Sequence, residues 1–274
     1  LCFKFSGCAD FTAKNDHSQQ VDTLSLIDDG KNVLMNVNDC PIELAQSTFK
    51  DIKKQYDKID ILLTGYGGAG PYPQCFENLN FQEKLIAAQT KELQFLNQAI
   101  KYINDVKPSF YLPFAGTYTL TGKLSNLQNL RGVPSIDNAY DFFENYYSLK
   151  NFPEKIQPLK LNPDTTFDLS IKECDKEYKK VNTAEYLSYI NKNLSSKKLV
   201  YENEETPVFD EIYELAKKAH IRFLDKKLVN NVKLKSDIFI KVNGKSLMLG
   251  KDNNLNVVKS GEIEKISKKY VQYE

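Results

Sequence analysis

Residues 24–27 and 33–37 are short apolar runs on either side of Asp28-Asp29-Gly30. Two such runs with a turn-forming tripeptide between them predict a β-hairpin. A helical period follows: Leu44, Phe49, Ile52 and Tyr56 fall on one face of a helix over residues 43–56. Residues 59–63 form a compact apolar run that leads into a glycine-rich stretch, the pattern of a buried strand. Asn80, with Glu83 three residues on, has the form of a capping box. The helix it opens carries Leu85, Ala88, Leu93, Leu96, Ile100 and Ile103 as its apolar face. Pro108 ends that helix, and residues 110–114 supply the next strand, closed by Ala115-Gly116. Strand, helix, strand, helix, strand in this order predicts a layered α/β domain.

Beyond residue 135 the pattern turns helical, charged and aromatic, with breaks at Pro153, Pro158, Pro163 and Pro207. Residues 209–228 read as one amphipathic helix. Residues 237–242 and 245–249 flank Asn243-Gly244, the signature of a type I′ hairpin. The expected organisation is a core segment over 1–134, a helical extension over 135–230 and a β-hairpin extension over 231–274.

Composition narrows the classes. A chain of 274 residues, 41% hydrophobic, with 16 Tyr and 16 Phe, is long and apolar enough for a sizeable core. A net charge of +1 gives no basic field for a phosphate backbone, so nucleic acid is not an expected partner. The cysteines (2, 8, 40, 75 and 174) show no C-x-x-C spacing, and their odd number points to a reducing, cytoplasmic setting. No apolar run approaches the length of a membrane span, and no signal peptide is visible. A chain that starts at Leu1 rather than Met reads as part of a longer one.

Candidate chemistry gathers at strand ends. Asp39 follows the apolar run 33–37 and precedes Cys40-Pro41. A carboxylate there faces the rim where α/β folds place ligands, and its hard oxygens suit divalent metals. The competing reading is a helix cap or turn former. His17 lies in a polar loop before the hairpin, as a metal ligand, an acid/base group or an ordinary surface histidine. His220, inside the late helix, reads as structural. Two histidines alone cannot build a histidine-rich zinc site.

The loop over residues 65–70 holds four glycines, which lets the backbone approach a ligand closely. It contains G-x-G-x-x-G, but Pro71 and Pro73 follow where a dinucleotide fold would open a helix. A nicotinamide oxidoreductase therefore rests on the glycine pattern alone. Gly116-Thr-Tyr-Thr-Leu-Thr-Gly122-Lys123 falls short of a P-loop: one residue too many separates the glycines, and Leu124 stands where Ser or Thr should meet magnesium. Lys123 and Arg131 remain candidate phosphate contacts.

Three segments together resemble the CMP-N-acetylneuraminate hydroxylases. Residues 22–40, ending in Asp39-Cys40, are similar to the hairpin with an Asp-Cys end in that family. Residues 60–73, Asp-Ile-Leu-Leu-Thr-Gly-Tyr-Gly-Gly-Ala-Gly-Pro-Tyr-Pro, are similar to its strand and glycine-rich loop. Residues 108–116 are similar to its Pro-Phe-Ala-Gly strand end. Order and spacing agree over roughly the first half of the chain.

That resemblance implies the αββα sandwich of the metallo-β-lactamase superfamily, of which this chain would supply the C-terminal half. It implies a divalent metal (zinc, iron or manganese) with Asp39 as bridging ligand and His17 as a further one. It also implies a pocket lined by Tyr66, Gly67, Gly68, Phe114 and Gly116. The expected substrate is a nucleotide-activated sugar or a similar phosphorylated metabolite, and the expected reaction is hydrolysis or hydroxylation. A hydroxylase would need an electron-transfer partner. The family's H-x-H-x-D-H loop is absent here and is expected N-terminal to Leu1. No histidine stands in Pro113-Phe114-Ala115-Gly116, where a final ligand is often found. A non-catalytic binding or scaffold protein that retains the fold is the alternative.

Overall fold

The computed structural model describes residues 2–9, 20–37, 40, 42–150, 156–242 and 245–259. The chain divides into two compact units. The first comprises Leu1–Gly70 and Ala87–Ser196; the second comprises Pro71–Ile86 and Lys197–Glu274.

The first unit is an α/β structure built on a six-stranded mixed sheet. Its strands are β1 (Cys2–Ala9), β2 (Gln20–Asp28), β3 (Val33–Asn36), β4 (Ile61–Gly65), β5 (Phe110–Phe114) and β6 (Gln157–Pro158). They lie in sequence order across the sheet. β2 pairs antiparallel with both β1 and β3, and β3, β4, β5 and β6 are parallel. The predicted hairpin is β2–β3. Its turn is held by side chains: Gly30 N–H donates to Asp28 Oδ1 at 2.8 Å, and Asp29 Oδ1 accepts from Lys31 and Asn32 N–H at 2.9 and 2.7 Å. Gly30 sits at φ 87°, a left-handed conformation that glycine adopts without strain.

Each parallel connection carries a helix: α1 (Ile42–Gln55), α2 (Phe81–Val106) and α3 (Ile136–Lys150). Every new strand is added on the same side, so right-handed crossovers place all three helices on one face. The core shows that arrangement. Leu24, Leu26, Met35, Leu62 and Tyr111 from the sheet meet Phe49 and Ile52 of α1, Leu96, Ile100 and Ile103 of α2, and Ala139 and Phe143 of α3. α3, which opens the helical stretch beyond residue 135, thus shares this core.

The expected capping box forms at the start of α2. Asn80 N–H donates to Glu83 Oε2 at 2.8 Å, and Glu83 N–H donates to Asn80 Oδ1 at 3.0 Å. The stripe differs from the expected one, and Leu85 is only partly buried. Leu93 is 50% exposed, and Ala99 and Tyr102 are buried instead. The helix rotates to seat the Tyr102 ring on Phe49, centroids 5.5 Å apart.

The opposite face of the sheet is also apolar but less fully covered. Ile61 and Phe110 are buried there, while Leu34, Leu63 and Leu112 are only partly buried. Leu159 and Phe167, from the chain after α3, lie on this face, with Phe167 edge-on to Phe110 at 5.0 Å. That chain also forms the short pair β7 (Phe167–Asp168) and β8 (Glu173–Cys174) and then α4 (Thr183–Tyr189), whose first turn is capped by Asn182.

Asp60 fastens the hairpin to β4. It is 8% exposed; Oδ2 accepts from Val33 N–H at 2.9 Å, and Oδ1 pairs with Lys58 Nζ. Asp60→Ala would leave the Val33 donor without an acceptor at the sheet's amino edge. The expected cost is about 2 kcal/mol in urea unfolding, with Asp60→Asn retaining part of it. An Asp60→Ala chain as stable as wild type would show that this tie does not contribute.

The second unit holds α5 (Phe209–Val229) and an antiparallel sheet of β9 (Ile238–Val242), β10 (Lys245–Leu249) and β11 (Leu255–Lys259). The predicted hairpin is β9–β10, and β11 adds a third strand. Phe209 is the buried residue of α5, and Lys245 Nζ lies 4.6 Å from its ring centroid. Among the described residues no helix is long and apolar enough to cross a membrane.

Candidate functional site

Parallel strands β3, β4 and β5 all end at one edge of the sheet, the carboxyl edge where open α/β sheets bind ligands. β3 is carried one residue further by Val37 N–H, which donates to Leu63 O at 3.1 Å. Cys40 N–H then donates to Val37 O at 2.9 Å, and the Tyr102 hydroxyl donates to Cys40 O. Asp39 falls between these two anchored residues, and both it and His17 lie outside the described residues. Among the described residues no three His, Cys, Asp or Glu side chains stand together as a metal would need. The metal reading therefore rests on Asp39 and His17.

The two other segments singled out by sequence meet at this edge, backbone against backbone. A Cβ on Gly67 would stand 2.2 Å from Gly116 O and 3.0 Å from Val133 Cγ1. A Cβ on Gly116 would meet the Tyr66 ring at 2.4–2.6 Å, and one on Gly68 would meet the Phe95 ring at 2.5 Å. Gly67 and Gly116 are thus required by close approach of the β4 and β5 loops to each other, and Gly68 by the approach of the β4 loop to Phe95 of α2. Tyr118 adds a second tie, its hydroxyl donating to Gly70 O at 3.4 Å. Phe114, the last residue of β5, is partly buried, and Ala115 turns the chain at φ 49°.

The glycine loop opens no helix, since α2 begins only at Phe81. This agrees with the weak dinucleotide-binding pattern. The chain after Gly116 likewise enters a 3₁₀ segment, Gly122–Leu130, with Lys123 exposed on it. That segment delivers Arg131 to the cluster. Arg131 Nε–H donates to Gln128 O at 2.8 Å, its guanidinium carbon lies 5.4 Å from the Tyr118 ring centroid, and its Nη1 is buried with no hydrogen-bond partner among the described residues.

The electrostatics follow from burial. Tyr66 is 3% exposed and its hydroxyl is pushed up to about 12, chiefly by desolvation, with Arg131 pulling it down and Asp137 pushing it up. It is a proton donor throughout the physiological range. Burial raises Glu92, against the pull of Arg131, and lowers Lys91, whose Nζ donates to Arg131 O at 3.0 Å. The edge thus offers a closely packed backbone junction, a protonated phenol and a guanidinium whose Nη1 has no hydrogen-bond partner among the described residues.

Of the residues nominated from sequence, Tyr66, Gly67, Gly68, Phe114, Gly116 and Arg131 share this edge, while Lys123 is exposed on the 3₁₀ segment that follows. Tyr118, Gln128 and Val133 complete it, and no spacing rule marks them. No family model, curated protein or solved structure matches the chain.

Proposed function

We propose that this chain carries part of a metallo-β-lactamase-like catalytic domain, resembling the CMP-N-acetylneuraminate hydroxylases, that acts on a nucleotide-activated sugar or similar phosphorylated metabolite. The observation that carries the reading is the backbone closure of Gly67 on Gly116 beside the Val37–Cys40 strand end. It brings the three segments of the resemblance to one edge. The sheet supports the same reading. Its helices cover one face, and the other presents Leu34, Leu63 and Leu112, an apolar surface of the kind that meets another sheet in a sandwich.

In this reading Asp39 and His17 hold a divalent cation, which when bound supplies an acidified water or polarises the substrate. The residues of the edge do the rest. The Gly67–Gly116 contact fixes the shape of the edge, Tyr66 donates a hydrogen bond, and Arg131 meets negative charge.

The test is metal content of the full chain, by elemental analysis after exposure to zinc, iron(II) or manganese. Asp39→Ala is expected to lower bound metal at least about tenfold while circular dichroism is retained. Equal metal in wild type and variant would remove Asp39 from any such site. A wild-type chain that takes up none of the three ions would favour the scaffold reading.

A further inference from the structure

Cations in this chain are almost all lysines. Of its 37 Lys and Arg residues only two, Arg131 and Arg222, are arginines. Arg222 is exposed on α5, while Arg131 is partly buried at the carboxyl edge. A lysine serves any solvated surface, so an arginine in a half-buried place points to the planar fork of the guanidinium.

The fork is held from behind. Its Nε is spent on Gln128 O, and Tyr118 lies against its face. The backbone is fixed as well: Lys91 grips the Arg131 carbonyl, and Gly132 turns away at φ 65°, where a Cβ would come within 2.8 Å of Lys91 Cδ. The nearby carboxyls do not neutralise it. Asp137 is occupied by the Tyr178 hydroxyl at 2.8 Å and Val181 N–H at 3.0 Å. Glu92 feels the guanidinium without forming an ion pair with it, and burial favours its protonated form. One buried nitrogen, Nη1, therefore points at no acceptor among the described residues. Buried donors of this kind are rarely left unmatched, and a guanidinium end is matched best by two oxygens of one oxyanion.

We propose that Arg131 is the anion anchor of this edge, receiving a carboxylate or phosphate group of the bound molecule on its free Nη1 end. This rests on the reading of the carboxyl edge as the substrate site but not on the metal. The anchor separates two oxyanion sources, the phosphate of a nucleotide and the carboxylate of a sugar acid.

Calorimetric titration of the full chain, without added metal, with CMP and separately with glucuronate tests it. Arg131→Gln is expected to weaken whichever probe binds by roughly 10- to 100-fold, and Arg131→Lys by several-fold, because lysine keeps the charge but loses the fork. Because this titration is run without metal, and the metal content of wild type and Asp39→Ala is read separately, loss of the metal reading and loss of the anchor are told apart. Should Arg131→Gln fail to fold, arginine-specific labelling of wild type by phenylglyoxal decides. The bound probe should protect Arg131 and leave Arg222, its internal control, fully reactive. Arg131-dependent binding of CMP alone assigns a phosphate, and of glucuronate alone a carboxylate. Binding of neither probe to wild type, or equal affinity in the folded Arg131→Gln chain, overturns the proposal.

Discussion

Gly67→Ala is expected to destabilise the first unit by about 3 kcal/mol, far more than an alanine costs in an ordinary loop. The physical reason is the identity of the atom in the way. The new methyl carbon would stand 2.2 Å from the Gly116 carbonyl oxygen, and a backbone oxygen at a strand end cannot rotate aside. The β4 and β5 loops would have to part by more than an ångström. Gly68→Ala is the informative contrast. Its methyl group meets the ring of Phe95, a side chain that can tilt, so a cost of about 1 kcal/mol is expected. Urea unfolding followed by circular dichroism reads both variants. Equal midpoints for Gly67→Ala and wild type would mean that the two loops do not touch through their backbones. Gly116→Ala should resemble Gly67→Ala only if the Tyr66 ring is as fixed as a backbone, since that ring is what its methyl group meets.

The same contact shows how much of the site the sequence could disclose. Four glycines over residues 65–70 announced a close approach, and the natural inference was a ligand. What the backbone approaches is another piece of the chain, Gly116, some fifty positions on. Local pattern records that a side chain must be absent but not what fills the space.

Strands and helices were more legible, because their burial is periodic. β5 appears as expected over Phe110–Phe114, and the hairpin β2–β3 forms around its Asp-Asp-Gly turn. β4 starts at Ile61 and not at residue 59: Ile59 is buried by packing, and Asp60 by its bond to Val33, before the parallel ladder begins. Apolar runs mark burial, and pairing must be inferred from it. Leu93 shows the same limit on a helix, where the apolar stripe was read one position too wide. β11 and the Tyr118–Gln128–Arg131 arrangement left no periodic trace at all. The hinge of the metal reading, Asp39 with His17, falls outside the described residues, so there the sequence resemblance stands without geometry.

Alkaline pH should unfold the first unit cooperatively, because its core is built on tyrosines that cannot ionise where they are. Tyr66, Tyr111, Tyr140 and Tyr147 are all shifted upward from the ordinary phenol value, with desolvation as the largest cause in each, and Tyr66 reaches about 12. For Tyr111 the neighbouring Tyr147, Glu144 and Tyr140 add to the burial. The folded chain thus holds these protons more tightly than the unfolded chain, in which phenols ionise near 10. Below that value both states are protonated and stability is unaffected. As pH rises through 10 the unfolded state alone loses protons, and stability falls until the folded values are reached. Tyr66 by itself accounts for roughly 2–3 kcal/mol across this window, and the other three act in the same direction. Phenolate absorbance from these rings should emerge together with the loss of far-ultraviolet circular dichroism between pH 10 and about 12. Absorbance that rises fully while the secondary structure persists would contradict the argument. Tyr111→Phe isolates the cause. The Tyr111 hydroxyl is buried with no hydrogen-bond partner among the described residues, so its removal deletes an ionisable group and an unsatisfied one together. The variant should be about 1 kcal/mol more stable at neutral pH, and its alkaline transition should move upward.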